Sequence, residues 1–219
     1  MISCVLFDFD GVIADTERSN GDYLAQALAA FGIPFTQEDR LSLIGTNGAG
    51  TLDRFLQRAD PPITREQLAR VREGLGNTYE DSPLSPQPGL REWLEELNRQ
   101  GIRTGVVSST STKYIVTALN RMGLTGQFQV IVCGDMVRRP KPAPHSYQLA
   151  MSLLGLSPED CLAIEDSPTG IQAAQAAGLR VVGYKGGSVE QKTGNASWEV
   201  RSFQEIKTLP PFLEGGELP

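Results

Sequence analysis

Five short apolar runs punctuate the chain, and each stops abruptly at polar residues: 2–7, 102–107, 128–133, 161–164 and 180–184. Runs this short fit strands buried on both faces of a sheet. Between the later runs, apolar residues recur at helical spacing. Leu90, Trp93, Leu94 and Leu97 form one such series, and Tyr114, Ile115, Ala118, Leu119 and Met122 another. Tyr147, Leu149, Ala150, Leu153 and Leu154 form a third, and Ile171, Ala174 and Ala177 a fourth. Strand and helix in alternation require crossover connections, so the pattern predicts an α/β fold with a mostly parallel sheet covered on both faces. Residues 199–203 offer a short last strand or edge, and 209–219 read as a poorly structured tail.

Residues 16–85 break the alternation. They hold no strand-like run, but show helical patterns at 23–31, 51–58 and 65–79. Gly32-Ile-Pro and Asp60-Pro-Pro punctuate them, and the proline-rich stretch 82–89 closes them. The expected organisation is a discontinuous α/β core, 1–15 and 86–219, interrupted by an all-helical insert at 16–85. With 219 residues, 40% of them hydrophobic, the chain can bury a substantial core. A net charge of −6 argues against a nucleic-acid partner. No apolar run is long enough for a membrane span. The beginning of the chain lacks a basic, then apolar, leader, and Cys4, Cys133 and Cys161 sit in or beside apolar runs as an odd set. These features predict a cytoplasmic location. With no CxxC pair and His145 the sole histidine, a structural zinc site is disfavoured.

In an open parallel sheet, ligands bind beyond the carboxyl ends of the strands. The residues there are Asp8, Asp10 and Gly11, then Ser108, Ser109 and Thr110, then Gly134, Asp135 and Lys141, then Glu165, Asp166 and Ser167. Taken singly, each has an ordinary reading: an acid after a strand is usually a turn former or helix cap, and a Lys-Pro is usually a solvated loop. Together they gather acids that repel one another unless a hard cation lies among them. Magnesium suits such oxygen ligands and leaves room for a phosphate.

These segments, Asp8-Phe-Asp-Gly-Val-Ile-Ala-Asp-Thr, Val107-Ser-Ser, Lys141-Pro-Ala-Pro and Ile164-Glu-Asp-Ser-Pro-Thr-Gly-Ile, resemble the four motifs of the haloacid dehalogenase superfamily. The likeness covers nearly the whole chain, because the insert matches that family's small cap. It is greatest to the branch of phosphoglycolate phosphatases, sugar-phosphate phosphatases and β-phosphoglucomutase. The resemblance implies a Rossmann-like core and a magnesium-dependent phosphomonoester hydrolase. Asp8 would then be the nucleophile and Asp10 the general acid and base. Ser108 and Ser109 would bind the phosphoryl group, and Lys141 would neutralise charge. Asp8, Asp166 and the Asp10 carbonyl would hold Mg2+, with Glu165 supporting the metal directly or through water. Thr16, Asn20, Gly45 and Asn47 would form the substrate loop. The partner would be a small phosphorylated metabolite, a sugar phosphate or one like phosphoglycolate, with no nucleic acid and no membrane. Oligomeric state is not legible.

Absences separate the family's chemistries. Dehalogenases lack an acid at the position of Asp10. Phosphonate hydrolases need a cap lysine, and the five lysines, at 113, 141, 185, 192 and 207, all fall outside 16–85. The mutase branch carries a histidine where this chain has Asn20, and the loop 44–51 has no charge. With no lysine or histidine in the cap to hold a second phosphate, a mutase is the weaker alternative, although Arg18, Arg40 or Arg54 could serve. A receiver module or a non-catalytic binder is the alternative of another class. The Asp-x-Asp on the first strand and the insert argue against it.

Overall fold

The computed structural model describes residues 2–43, 49–189 and 191–212. Six strands form one sheet: β1 (Cys4–Phe7), β2 (Arg103–Val107), β3 (Val130–Val132), β4 (Cys161–Glu165), β5 (Arg180–Tyr184) and β6 (Trp198–Val200). Their spatial order is β3-β2-β1-β4-β5-β6, and every pairing is parallel. Chain order reverses on either side of β1, which opens a crevice at its carboxyl end. The runs at 2–7 and 128–133 are longer than the strands they contain, since hydrophobicity marks burial and not ladder pairing. The stretch at 199–203 resolves into the end of β6 and the start of a helix.

Helices cover both faces. On one side lie α6 (Leu90–Arg99), α7 (Thr112–Arg121) and α10 (Phe203–Ile206). They bury Trp93, Leu94, Ile115 and Phe203 against Phe7 and Ile164. Phe7 meets Trp93 edge-on at 5.5 Å between ring centroids. On the other side α8 (His145–Leu154) and α9 (Pro168–Ala176) bury Tyr147, Ala150, Ile171 and Ala174 against Leu6 and Ala163. The alternation of Leu6 and Phe7 between the two clusters is the period-two geometry of a strand buried on both faces.

Between β1 and α6 the described residues form five helices: α1 (Glu17–Ala29), α2 (Gln37–Leu43), α3 (Ala49–Leu56), α4 (Arg65–Leu75) and α5 (Thr78–Asp81). The first four enclose a third apolar cluster, including Leu24, Leu28, Ile33, Phe55 and Leu68, whereas Tyr79 of α5 packs into the cluster on the sheet. The structure corrects the expected helices here. The single helix expected over 65–79 is broken: Gly76 takes φ +82°, and Asn77 starts α5 by accepting from the Tyr79 and Glu80 amides. The first helix begins at Glu17, six residues before the expected start, because its first two turns are polar. The helix α2 was not expected, as its apolar stripe is short. Its start is set by Thr36 and Asp39, whose side chains accept from each other's backbone amides.

The two linkers to these helices run side by side. Ala14 bridges to Pro86, and the Gln87 amide donates to the Ile13 carbonyl. Among the described residues, no helix is long and apolar enough to cross a membrane.

Candidate active site

The sheet's carboxyl edge gathers most of the expected residues. Asp8 follows β1 directly, and Glu165 ends β4, the neighbouring strand. Lys141 reaches between them from the loop before α8. Its Nζ donates to Asp8 Oδ1 at 2.6 Å, to Glu165 Oε1 at 2.5 Å and to the Val107 carbonyl at 2.8 Å. Tyr147, on α8, also donates to Glu165 Oε1, at 2.6 Å. The ammonium is buried. Burial works against its charge, but Asp8 and Glu165 more than offset this and hold its pKa above the usual lysine value.

Asp8, Glu165 and Asp166 each offer a carboxylate oxygen within 4.8 Å of the others. Burial raises the Asp8 pKa well above normal. Lys141 opposes that rise, whereas Glu165 and Asp10 add to it. Asp166 is raised in the same direction by burial and then by Asp8 and Glu165. Backbone geometry permits this crowding. A side chain at Gly11, whose φ is +81°, would strike the Asp166 carboxylate, and one at Gly170 would strike that of Glu165. One lysine facing so many acids leaves an excess of negative charge, which suits a hard dication.

Asp10 is held differently. Thr16 donates to its Oδ1 at 2.6 Å, Tyr79 donates to the same oxygen at 2.8 Å, and Thr110 donates to Oδ2 at 3.1 Å. Thr16 precedes α1, and its hydroxyl, directed at Asp10, does not cap that helix. Tyr79 stands on α5, on the return path to the core, stacked on Tyr114 at 5.5 Å. Tyr79 and Thr110 complete the site, and the sequence reading gave neither a role. Thr110 was within reach of that reading, as it closes the Ser-Ser-Thr series after β2. Tyr79 had no signal, since it is brought in by the chain's return.

Other expected residues fall in varied places. Ser109 lines a cavity of about 170 Å³ with Asp8, Asp10, Lys141, Asp166 and Gln191. Ser108 is buried behind it, and its hydroxyl accepts from the Thr110 amide. Thr16 is fully buried at Asp10 and not displayed on a substrate loop. Asn20 donates to the Tyr79 hydroxyl at 3.4 Å. Asp135 lies apart, capping α7 by accepting from the Thr112 amide and hydroxyl. Gly45 and Asn47 lie outside the described residues.

A second cavity, about 190 Å³, touches the first at Glu17 and Leu43. Asn20, Arg40 and Arg72 also line it. Glu17 is pushed up to about 7 by burial, then by Asp10 and Asp15. Arg40 is paired with Asp22 at 2.8 Å. Arg72 has no ion pair or hydrogen bond among the described residues. Arg40 is one of the arginines the sequence offered for a second anion, and Arg72, which it did not single out, lines the same cavity while remaining exposed.

The chain matches the family model described as haloacid dehalogenase-like hydrolase over residues 5–184. It is 36% identical over 193 residues to protein CbbY of Cereibacter sphaeroides, covering 83% of this chain and 84% of that one. To a phosphoglycolate phosphatase of Photorhabdus laumondii it is 31% identical over 186 residues, covering 83% and 80%. The structure resembles a CbbY variant from Rhodobacter sphaeroides in complex with xylulose-(1,5)bisphosphate, with TM-score 0.78 and 29% identity over 94% of this chain and 96% of that one.

Proposed function

The chain belongs to the haloacid dehalogenase-like hydrolase family, and on that premise we propose that it is a magnesium-dependent phosphatase of small phosphorylated carbohydrates or acids. One observation carries this reading: a single buried lysine joins Asp8 to Glu165 while Asp166 crowds the same point. Phosphoryl transfer asks for positioning and for neutralisation of spreading negative charge, and this arrangement supplies both.

In this reading Asp8 attacks phosphorus with the oxygen that Lys141 leaves free. An aspartyl phosphate forms as the bond to the leaving oxygen breaks. Asp10 gives that oxygen a proton, and later takes one from the water that releases phosphate from Asp8. The hydroxyls of Thr16, Tyr79 and Thr110 fix the Asp10 carboxyl for both transfers. Ser108 and Ser109 border the phosphoryl position. Asp8, Asp166 and the Asp10 carbonyl are the proposed ligands of Mg2+, which when bound neutralises phosphoryl oxygens. Glu165 belongs to the same acidic group, but its Oε1 already accepts from Lys141 and Tyr147, so its first task is to set the lysine. Residues 16–85 act as the cap and supply the leaving-group cavity. Glu17 and Asn20 there suit hydroxyls, and Arg72 suits a second anionic group.

A phosphate-release screen with Mg2+ tests this, using sugar monophosphates, ketose bisphosphates, phosphoglycolate, nucleotides and pyrophosphate. Turnover is expected for the first three classes, and Asp8→Asn should reduce it by at least a thousandfold. Near wild-type phosphate release by Asp8→Asn would contradict the covalent route. Conversion of β-glucose 1-phosphate to glucose 6-phosphate faster than phosphate release would make the protein a mutase instead.

A further inference from the structure

Asp166 is the acid of the buried group that Lys141 does not reach. Its side chain receives a hydrogen bond from Gln191 instead, whose Nε2 donates to Oδ2 at 2.8 Å. Gln191 is 9% exposed and lines the same cavity as Asp8 and Asp166. Its Oε1 is buried without a hydrogen-bond partner among the described residues. Leaving a buried acceptor unpaired is costly, because its lost hydration is not replaced. Turning the amide over would not relieve this, because Oε1 would then face the Asp166 carboxylate. The segment is held in place nearby, where Ser188 donates from its amide and hydroxyl to Asp15, both at 2.9 Å. Among the described residues, an orphan acceptor therefore persists beside a carboxylate that has one oxygen uncommitted.

We infer that Gln191 is a positioning residue of the metal centre. Its Nε2 fixes Asp166 with Oδ1 left for the cation, and its Oε1 accepts a hydrogen bond from a water that arrives with the cation. A neutral amide suits this place. A cation there would compete with the metal for Asp166, and an acid would add to the repulsion. Such outer partners commonly carry about 10- to 100-fold in metal affinity.

This inference rests on the metal centre proposed above. The test is calorimetric titration of the full-length, substrate-free protein with MgCl2, with thermal melts of the metal-free protein in parallel. Gln191→Leu removes both amide functions at similar volume and should weaken Mg2+ binding about 10- to 100-fold. Gln191→Asn, a gentler change, shortens the reach and should give a smaller loss. It stands in if the leucine variant does not fold. Metal-free melting should change little in either. Variants that bind Mg2+ as tightly as wild type, whatever their melting temperature, would overturn the role of Gln191 and leave the metal centre standing. A wild-type protein that binds no Mg2+ would overturn both.

Discussion

Asp8 and Asp10 stand two residues apart, yet their surroundings divide them. Asp8 meets an ammonium, and Asp10 meets three hydroxyls. A charge-neutralised carboxylate suits attack on phosphorus, and a carboxyl held by neutral donors suits exchanging a proton. Tyr79→Phe should separate these tasks, because the ring stack on Tyr114 is kept while one hydrogen bond to Asp10 is lost. A bond to a charged group contributes about 1.5–3 kcal/mol, so kcat/KM for an alkyl phosphate should fall roughly 10- to 100-fold. An aryl phosphate, whose leaving group needs no proton, should lose much less. Equal losses on both substrates would place Tyr79 outside the proton transfer.

At the scale of elements, α2 shows how a short helix without a strong apolar stripe is fixed. Arg58, just past α3, grips Asp39 with two nitrogens at 2.8 and 2.9 Å. Arg58, then Thr36, hold the Asp39 carboxyl below the usual carboxylate range. A lowered pKa means that this stabilisation is present above the unfolded value, near pH 4, and fades as pH falls below it. Asp39→Asn should therefore lower the melting temperature at pH 7, and its gap from wild type should narrow by pH 3. Thermal melts at both values check this, and a constant gap would show that the ion pair contributes nothing.

For the whole molecule, the cap has an apolar cluster separate from the two that sandwich the sheet. The linkers meet at Ala14 and Pro86, so residues 17–81 can be excised and the ends joined by a short turn. The remaining core should keep Asp8, Lys141 and Asp166 in place and still bind Mg2+. It loses the Glu17–Arg72 cavity and the Tyr79 hydroxyl. The ratio of kcat/KM for a sugar phosphate to that for a simple aryl phosphate should collapse. An unchanged ratio would show that the cap does not choose the substrate.

Sequence alone determined the alternation of buried strands with helices and the order of the acids, hydroxyls and lysine that follow them. Both are local properties: strand burial shows as an apolar run, and a strand's end shows as its stop. It also marked 16–85 as helical, but erred on helix limits there, where Gly76 and the Thr36–Asp39 pair outweighed periodicity. What tertiary structure decided is which side chains converge from far along the chain. Tyr79 reaches Asp10 across 69 positions, and Gln191 reaches Asp166 across 25. Arg72 turns to the same cavity as Glu17. None of these carries a local pattern, because a hydroxyl, an amide or an arginine on a polar helix face reads alike whether it meets water or a carboxylate. Packing of the cap linkers and of the segment after β5 against the sheet's edge brings them there.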